Sequence, residues 1–98
     1  MRVRFIGHAW ADLNNIIVGF EDDPVRAGAV IAQIESDARS LGIYSRRYPV
    51  VAGTSLGEIR KLRSAPYVIL YRISANEVQV LAVAHERSDW LKAAAEIE

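Results

Sequence analysis

Three adjacent segments decide the fold of this chain: Glu58-Ile-Arg-Lys-Leu-Arg63, Pro66-Tyr-Val-Ile-Leu-Tyr-Arg-Ile73 and Val78-Gln-Val-Leu-Ala-Val-Ala-His-Glu-Arg87. They read as consecutive β-strands at about 58–63, 67–73 and 78–85, with Ser64-Ala-Pro66 and Ser74-Ala-Asn-Glu77 as hairpin turns. Strict period two in the last strand puts Val78, Val80 and Ala82 on one side and Leu81 and Val83 on the other. A strand apolar on both faces belongs inside a sheet that is covered on both sides. One face then meets helices, and the other meets the C-terminal segment or a partner chain.

Working outward, Arg2-Val-Arg-Phe-Ile6 alternates as a short strand that Gly7 breaks. From Ala9 to about Glu21, Trp10, Leu13, Ile17 and Phe20 recur at helical spacing, Ile16 widens that face, and the stripe is expected to be core. A second helix is expected from Pro24 to about Leu41, capped by Asp23 and stopped by Gly42 in a left-handed conformation. Its apolar stripe is Ala27, Val30, Ile31, Ile34, Ala38 and Leu41. Two amphipathic helices joined by so short a turn pack as an antiparallel hairpin. Residues 43–57 show no clean period, and Pro49, Gly53 and Gly57 mark them as a loop from helix to sheet. Beyond the strands, Ala93-Ala-Ala95 favours a short helix in a segment, Asp89–Glu98, that is either docked or a tail. The expected class is α+β: an N-terminal strand, a helical hairpin on a mainly antiparallel sheet, and a short C-terminal helix or tail, all in one domain, 1–98.

The 98 residues are 51% hydrophobic and 24% charged, an ordinary globular composition. There is no cysteine, which excludes disulfides, thiolate metal sites and cysteine nucleophiles. With only His8 and His85, no metal and no cofactor is expected. Phosphate loops, nucleophile elbows and His-Glu-x-x-His are all missing, so an autonomous hydrolase is disfavoured. The N-terminus lacks a signal-peptide core and no run approaches membrane-spanning length, so a cytoplasmic protein without membrane contact is expected.

A net charge of zero conceals an uneven distribution: residues 46–72 hold Arg46, Arg47, Arg60, Lys61, Arg63 and Arg72 against the single acid Glu58. Such a segment attracts anionic partners even in a neutral molecule. Period two, however, sets Lys61 and Arg63 opposite Arg60, so these residues cannot form one patch on one face.

The order of pieces resembles the ParE/RelE toxin superfamily across nearly the whole chain. The pieces are Ala9-Trp-Ala-Asp-Leu13, Asp23-Pro24, Tyr48-Pro49, Arg60-Lys-Leu62, Tyr67-Val-Ile-Leu-Tyr-Arg72 and His85-Glu-Arg87-Ser-Asp89. Where both branches usually carry arginine after the first tyrosine of the middle strand, this chain has Val68, and no tyrosine follows Tyr71. Messenger cleavage of the RelE kind needs a base and cations, and that set looks incomplete here. The resemblance therefore points to the ParE branch. It implies a toxin of a type II toxin–antitoxin pair that blocks DNA gyrase and is neutralised by a ParD-like antitoxin, with no direct contact to nucleic acid. The implied target-binding residues are Arg60, Arg63, Arg72, His85, Arg87 and Trp90. The alternatives are a ribosome-dependent endoribonuclease using Lys61, Arg63 and Arg87, the only reading in which the chain touches nucleic acid, or an inactive antitoxin-binding module.

Overall fold

The computed structural model describes residues 1–97. The chain runs β1 (Arg2–Phe5), α1 (Ala9–Gly19), α2 (Pro24–Tyr44), β2 (Val50–Thr54), β3 (Gly57–Ser64), β4 (Tyr67–Ser74), β5 (Glu77–His85) and α3 (Trp90–Ala95). The strands form one sheet in the order β1-β5-β4-β3-β2. Only the β1–β5 pair is parallel; β2–β3, β3–β4 and β4–β5 are antiparallel. This is the expected α+β architecture.

The helical hairpin covers one face. Leu13 and Ile16 of α1 and Ile34, Ala38 and Leu41 of α2 meet Leu62, Ile69, Tyr71, Val78, Val80 and Val83 of the sheet. On the opposite face α3 lies over Ile59, Val68, Leu70 and Leu81, with Ala94 fully buried among them. β4 sits centrally with both faces covered, so Val68, Ile69, Leu70, Tyr71 and Arg72 are all buried in succession. No helix among the described residues is long and apolar enough to cross a membrane.

The Asp23 cap read from the sequence is present. The Asp23 carboxylate accepts from the Arg26 amide at 3.1 Å, with Pro24 opening α2. Asp89 does the same for α3, accepting from the Lys92 amide at 3.3 Å. The C-terminal segment thus opens as a docked helix; Glu98 lies outside the described residues.

Four expectations are corrected. Residues 43–57 are not a plain loop, because Val50–Thr54 forms an edge strand on β3 through a two-residue turn. There the Thr54 hydroxyl donates to the Gly57 carbonyl at 2.7 Å and Gly57 takes φ +131°. A short edge strand that follows Pro49 and contains Gly53 has little periodic signal of its own, and the ladder to β3 creates it.

Second, α2 does not stop at Gly42 but continues to Tyr44. The glycine serves close packing instead: a Cβ there would lie 2.7 Å from the Met1 carbonyl oxygen. Third, the buried stripe of α1 is Ala9, Leu13 and Ile16, while Trp10 and Ile17 are exposed. The helix is rotated by about one residue from the expected face, and the exposed Trp10 ring meets Phe5 at 5.4 Å between centroids.

Fourth, β5 carries a bulge. Leu70 pairs with Ala82 but Tyr71 pairs with Val80, leaving Leu81 as the extra residue. One inserted residue reverses the alternation beyond it. Leu81 and Ala82 therefore pack on the α3 side, and Val83 returns to the face of Val78 and Val80.

Candidate functional site

The candidate residues separate by the parity of β3. On the hairpin side, Arg60 is occupied by backbone: its Nη1 donates to the Tyr48 carbonyl at 2.7 Å and the Arg46 carbonyl at 3.3 Å. On the α3 side lie Lys61 and Arg63. The Lys61 ammonium sits 4.7 Å above the Trp90 ring, a cation–π contact worth about 0.5–1 kcal/mol at an exposed site. Arg63 donates through Nε to Glu86 at 2.8 Å. That bond holds the Glu86 carboxyl below its ordinary value and raises the guanidinium.

β5 ends beside this pair in the tight segment His85–Ser88. The His85 Nδ1 accepts from the Arg87 amide at 3.1 Å, which puts the imidazole proton of the neutral ring on Nε2. The Ser88 hydroxyl closes the turn on the His85 carbonyl at 2.6 Å, and the His85 ring meets Tyr67 edge-on at 5.6 Å. Arg87 is exposed. Lys61, Arg63, Glu86, Arg87 and Trp90 thus gather where β3 and β5 end and α3 begins.

Arg72 lies elsewhere. It is only 8% exposed, and its Nε donates to Gln79 at 3.0 Å. Gln79 in turn donates to Glu77 at 3.0 Å, and Arg4 pairs with Glu77 at 3.0 Å. Arg72, Gln79 and Arg4 are register partners across β4, β5 and β1, so this is a polar row binding three strands. Of the expected contact set, the fold brings Arg63, His85, Arg87 and Trp90 to one end of the sheet. It gives Arg60 and Arg72 bracing positions.

Val68 pairs with Arg63 and Ala84 in the ladders. Only 2% exposed, it fills the apolar cluster beneath α3 with Ile59 and Leu70. Two working residues escaped the sequence reading. Asp12 accepts from the Val83 amide at 2.8 Å, replacing a strand partner where β1 has ended. Burial raises its carboxyl above the ordinary range, against the lowering influence of that amide and of His8. Tyr71 donates its hydroxyl to the Ser45 carbonyl at 2.7 Å, and burial pushes the phenol up to about 12. Neither spacing nor composition marks these bonds, which join elements distant in sequence.

On the outside of the helical hairpin, an apolar groove of about 650 Å³ runs between α1 and α2. Ile17, Val18, Phe20, Ala27 and Ile31 line it, with Glu21 and Glu35 among its polar groups.

The fold is a two-helix hairpin on a mixed sheet, with Lys61, Arg63 and Arg87 gathered beside its C-terminal helix. The family model for the ParE toxin of the type II toxin–antitoxin system parDE matches residues 3–90. The chain belongs to that family. A solved structure described as the chromosomal ParDE toxin–antitoxin system from P. aeruginosa superposes with a TM-score of 0.69 at 21% identity, covering 87% of this chain and 95% of that one. At that identity it attests the fold. No curated protein sequence matches.

Proposed function

We propose that this ParE toxin acts by occupying a surface of DNA gyrase in the cytoplasm, so that replication stops, and that a ParD-like antitoxin neutralises it. The observation that carries a binding mechanism is the state of the carboxylates at the basic rim. Glu86 is held ionised by Arg63, and Asp89 is spent capping α3. A general base needs a pKa near the working pH and a free lone pair. Tyr71 is no better, since its raised phenol stays protonated and already donates to Ser45. His85 is engaged as well, its Nδ1 lone pair taken by the Arg87 amide. A rim of cations whose nearby acceptors are already engaged suits recognition of a target, with Arg63, Arg87 and Trp90 as the contacts.

The antitoxin supplies what the isolated toxin lacks. Ile17 and Val18 are exposed beside the hairpin groove, and a tail that folds on binding covers such surface. Thymidine and methionine incorporation, followed separately after induction in bacteria, test the proposal. Early loss of thymidine with translation continuing is the expected result.

The ribonuclease reading keeps one supporting observation, the gathering of Lys61, Arg63 and Arg87 at one end of the sheet. Early loss of methionine incorporation, abolished by Lys61→Ala in a folded protein, would replace the gyrase proposal with it. Growth unaffected by either route would leave an antitoxin-binding module.

A further inference from the structure

Arginines on several parts of the surface are neutralised: Arg4 by Glu77 at 3.0 Å, Arg39 by Glu35 at 3.5 Å and Arg63 by Glu86 at 2.8 Å. The segment joining α2 to β2, Ser45-Arg-Arg-Tyr-Pro49, is different. Arg46 and Arg47 are exposed, and among the described residues no carboxylate pairs with them or with Arg60. Charge near the carbonyl end of α2 is favourable for the helix itself. Yet among the described residues neither side chain donates to those last carbonyls, so the helix does not use them up.

The segment is also held in shape. Four of its carbonyls are tied inward: Ser45 to the Tyr71 hydroxyl at 2.7 Å, Arg46 and Tyr48 to Arg60 at 3.3 and 2.7 Å, and Pro49 to the Lys61 amide at 3.1 Å. The Arg47 guanidinium lies 5.5 Å over the Tyr44 ring. The result is a braced loop that presents guanidinium charge beside aromatic rings.

We infer that this loop is a contact site for the phosphodiester backbone of duplex DNA, made by the toxin itself. Guanidinium forks match phosphate oxygens in a bidentate way. A DNA strand offers a charge about every 3.4 Å of axis, so neighbouring arginines on one loop find successive phosphates without reading bases. Bracing lowers the ordering cost of the contact. An acidic peptide is the competing ligand, because exposed Ile43 and Val50 border the loop. Duplex DNA is favoured because Arg46 and Arg47 are neighbours on a loop whose backbone is tied in place, which suits a regular row of phosphates. This assignment concerns a ligand class and does not depend on gyrase being the target.

The test uses the full-length toxin, a fluorescently labelled duplex of unrelated sequence and anisotropy at rising salt. Contacts to about two phosphates predict a log–log slope near −2, and Arg46→Gln/Arg47→Gln should remove most of it. Arg39→Gln, one helix turn and more away, should leave the slope unchanged. Arg60 stays intact because it braces the loop, and thermal melting confirms that each variant folds. A slope near zero in the unaltered protein would overturn the inference, as would a slope that the double variant does not change. Binding of a poly-glutamate peptide that depends on Arg46 and Arg47, with no binding of the duplex, would also overturn it.

Discussion

The two faces of the sheet are covered in very different ways. The hairpin side is closed by two helices that bury Leu13, Ile16, Ile34, Ala38 and Leu41 against six sheet residues. The other side is closed by α3, a single six-residue helix whose only fully buried side chain is Ala94, helped by the half-buried Trp90 and Ile97. An isolated helix so short has no stability of its own. The first face therefore holds the fold together, and the second is held by it. The basic rim lies on the weakly covered side, where a partner can reach it with little loss of core packing.

The largest effect that separates the two faces is expected from Leu41→Ala. This residue is 0% exposed under the hairpin, and a cavity there should cost about 2–5 kcal/mol, read as a fall in the chemical-denaturation midpoint. A loss no greater than that of an exposed-site control would mean that the hairpin face is not the principal core.

Asp12 gives the next effect, at the seam where α1 meets the bulged strand. Asp12→Ala leaves the Val83 amide unpaired and should cost about 1–3 kcal/mol, whereas Asp12→Asn keeps an acceptor and should cost less. The native carboxyl has a raised pKa, so folding favours its protonated form. Its contribution is fully present below the ordinary value of 3.8 and is lost as pH rises through the raised native value. Stability curves of the Asn variant should lack that decline. An identical pH profile in both proteins would remove Asp12 from this account.

The smallest effect belongs to the α3 side. Trp90→Ala removes the Lys61 contact and part of the cover over Val68 and Leu70, at about 1–2 kcal/mol. Amide exchange should accelerate in α3 and at the rim but not in α2. Uniform acceleration throughout would show that the two faces unfold as one unit and would end the distinction.

Much of the architecture was legible because it rests on local periodicity and caps. The α2 stripe, the Asp23-Pro24 start, the hairpin strands and a last strand apolar on both faces follow from residue spacing alone. The Ser74–Glu77 turn does too, with Ala75 and Asn76 at φ 52° and 60°. The rotated face of α1 was legible only in part: Leu13 and Ile16 were read as core, but Trp10 and Ile17 fit a helical stripe as well as Ala9 does. Which stripe is buried depends on where the sheet lies. The site was legible in part. Arg63, His85, Arg87 and Trp90 do converge, but Glu86 went unread inside His85-Glu86-Arg87 until the fold set it against Arg63.

By itself, then, the sequence determined the element types, the helical hairpin and a basic strand segment inside a neutral chain, because these depend on neighbours within a few residues. Tertiary structure alone decided which charges remain available. Whether an arginine meets a glutamate, a carbonyl or open solvent depends on contacts between residues 12 to 26 positions apart, as for Arg60, Arg63 and Tyr71. A one-residue bulge in β5 then set which side chains each face received. Pairing across a sheet fixes such relations through register, and register is a property of the assembled strands rather than of any one of them.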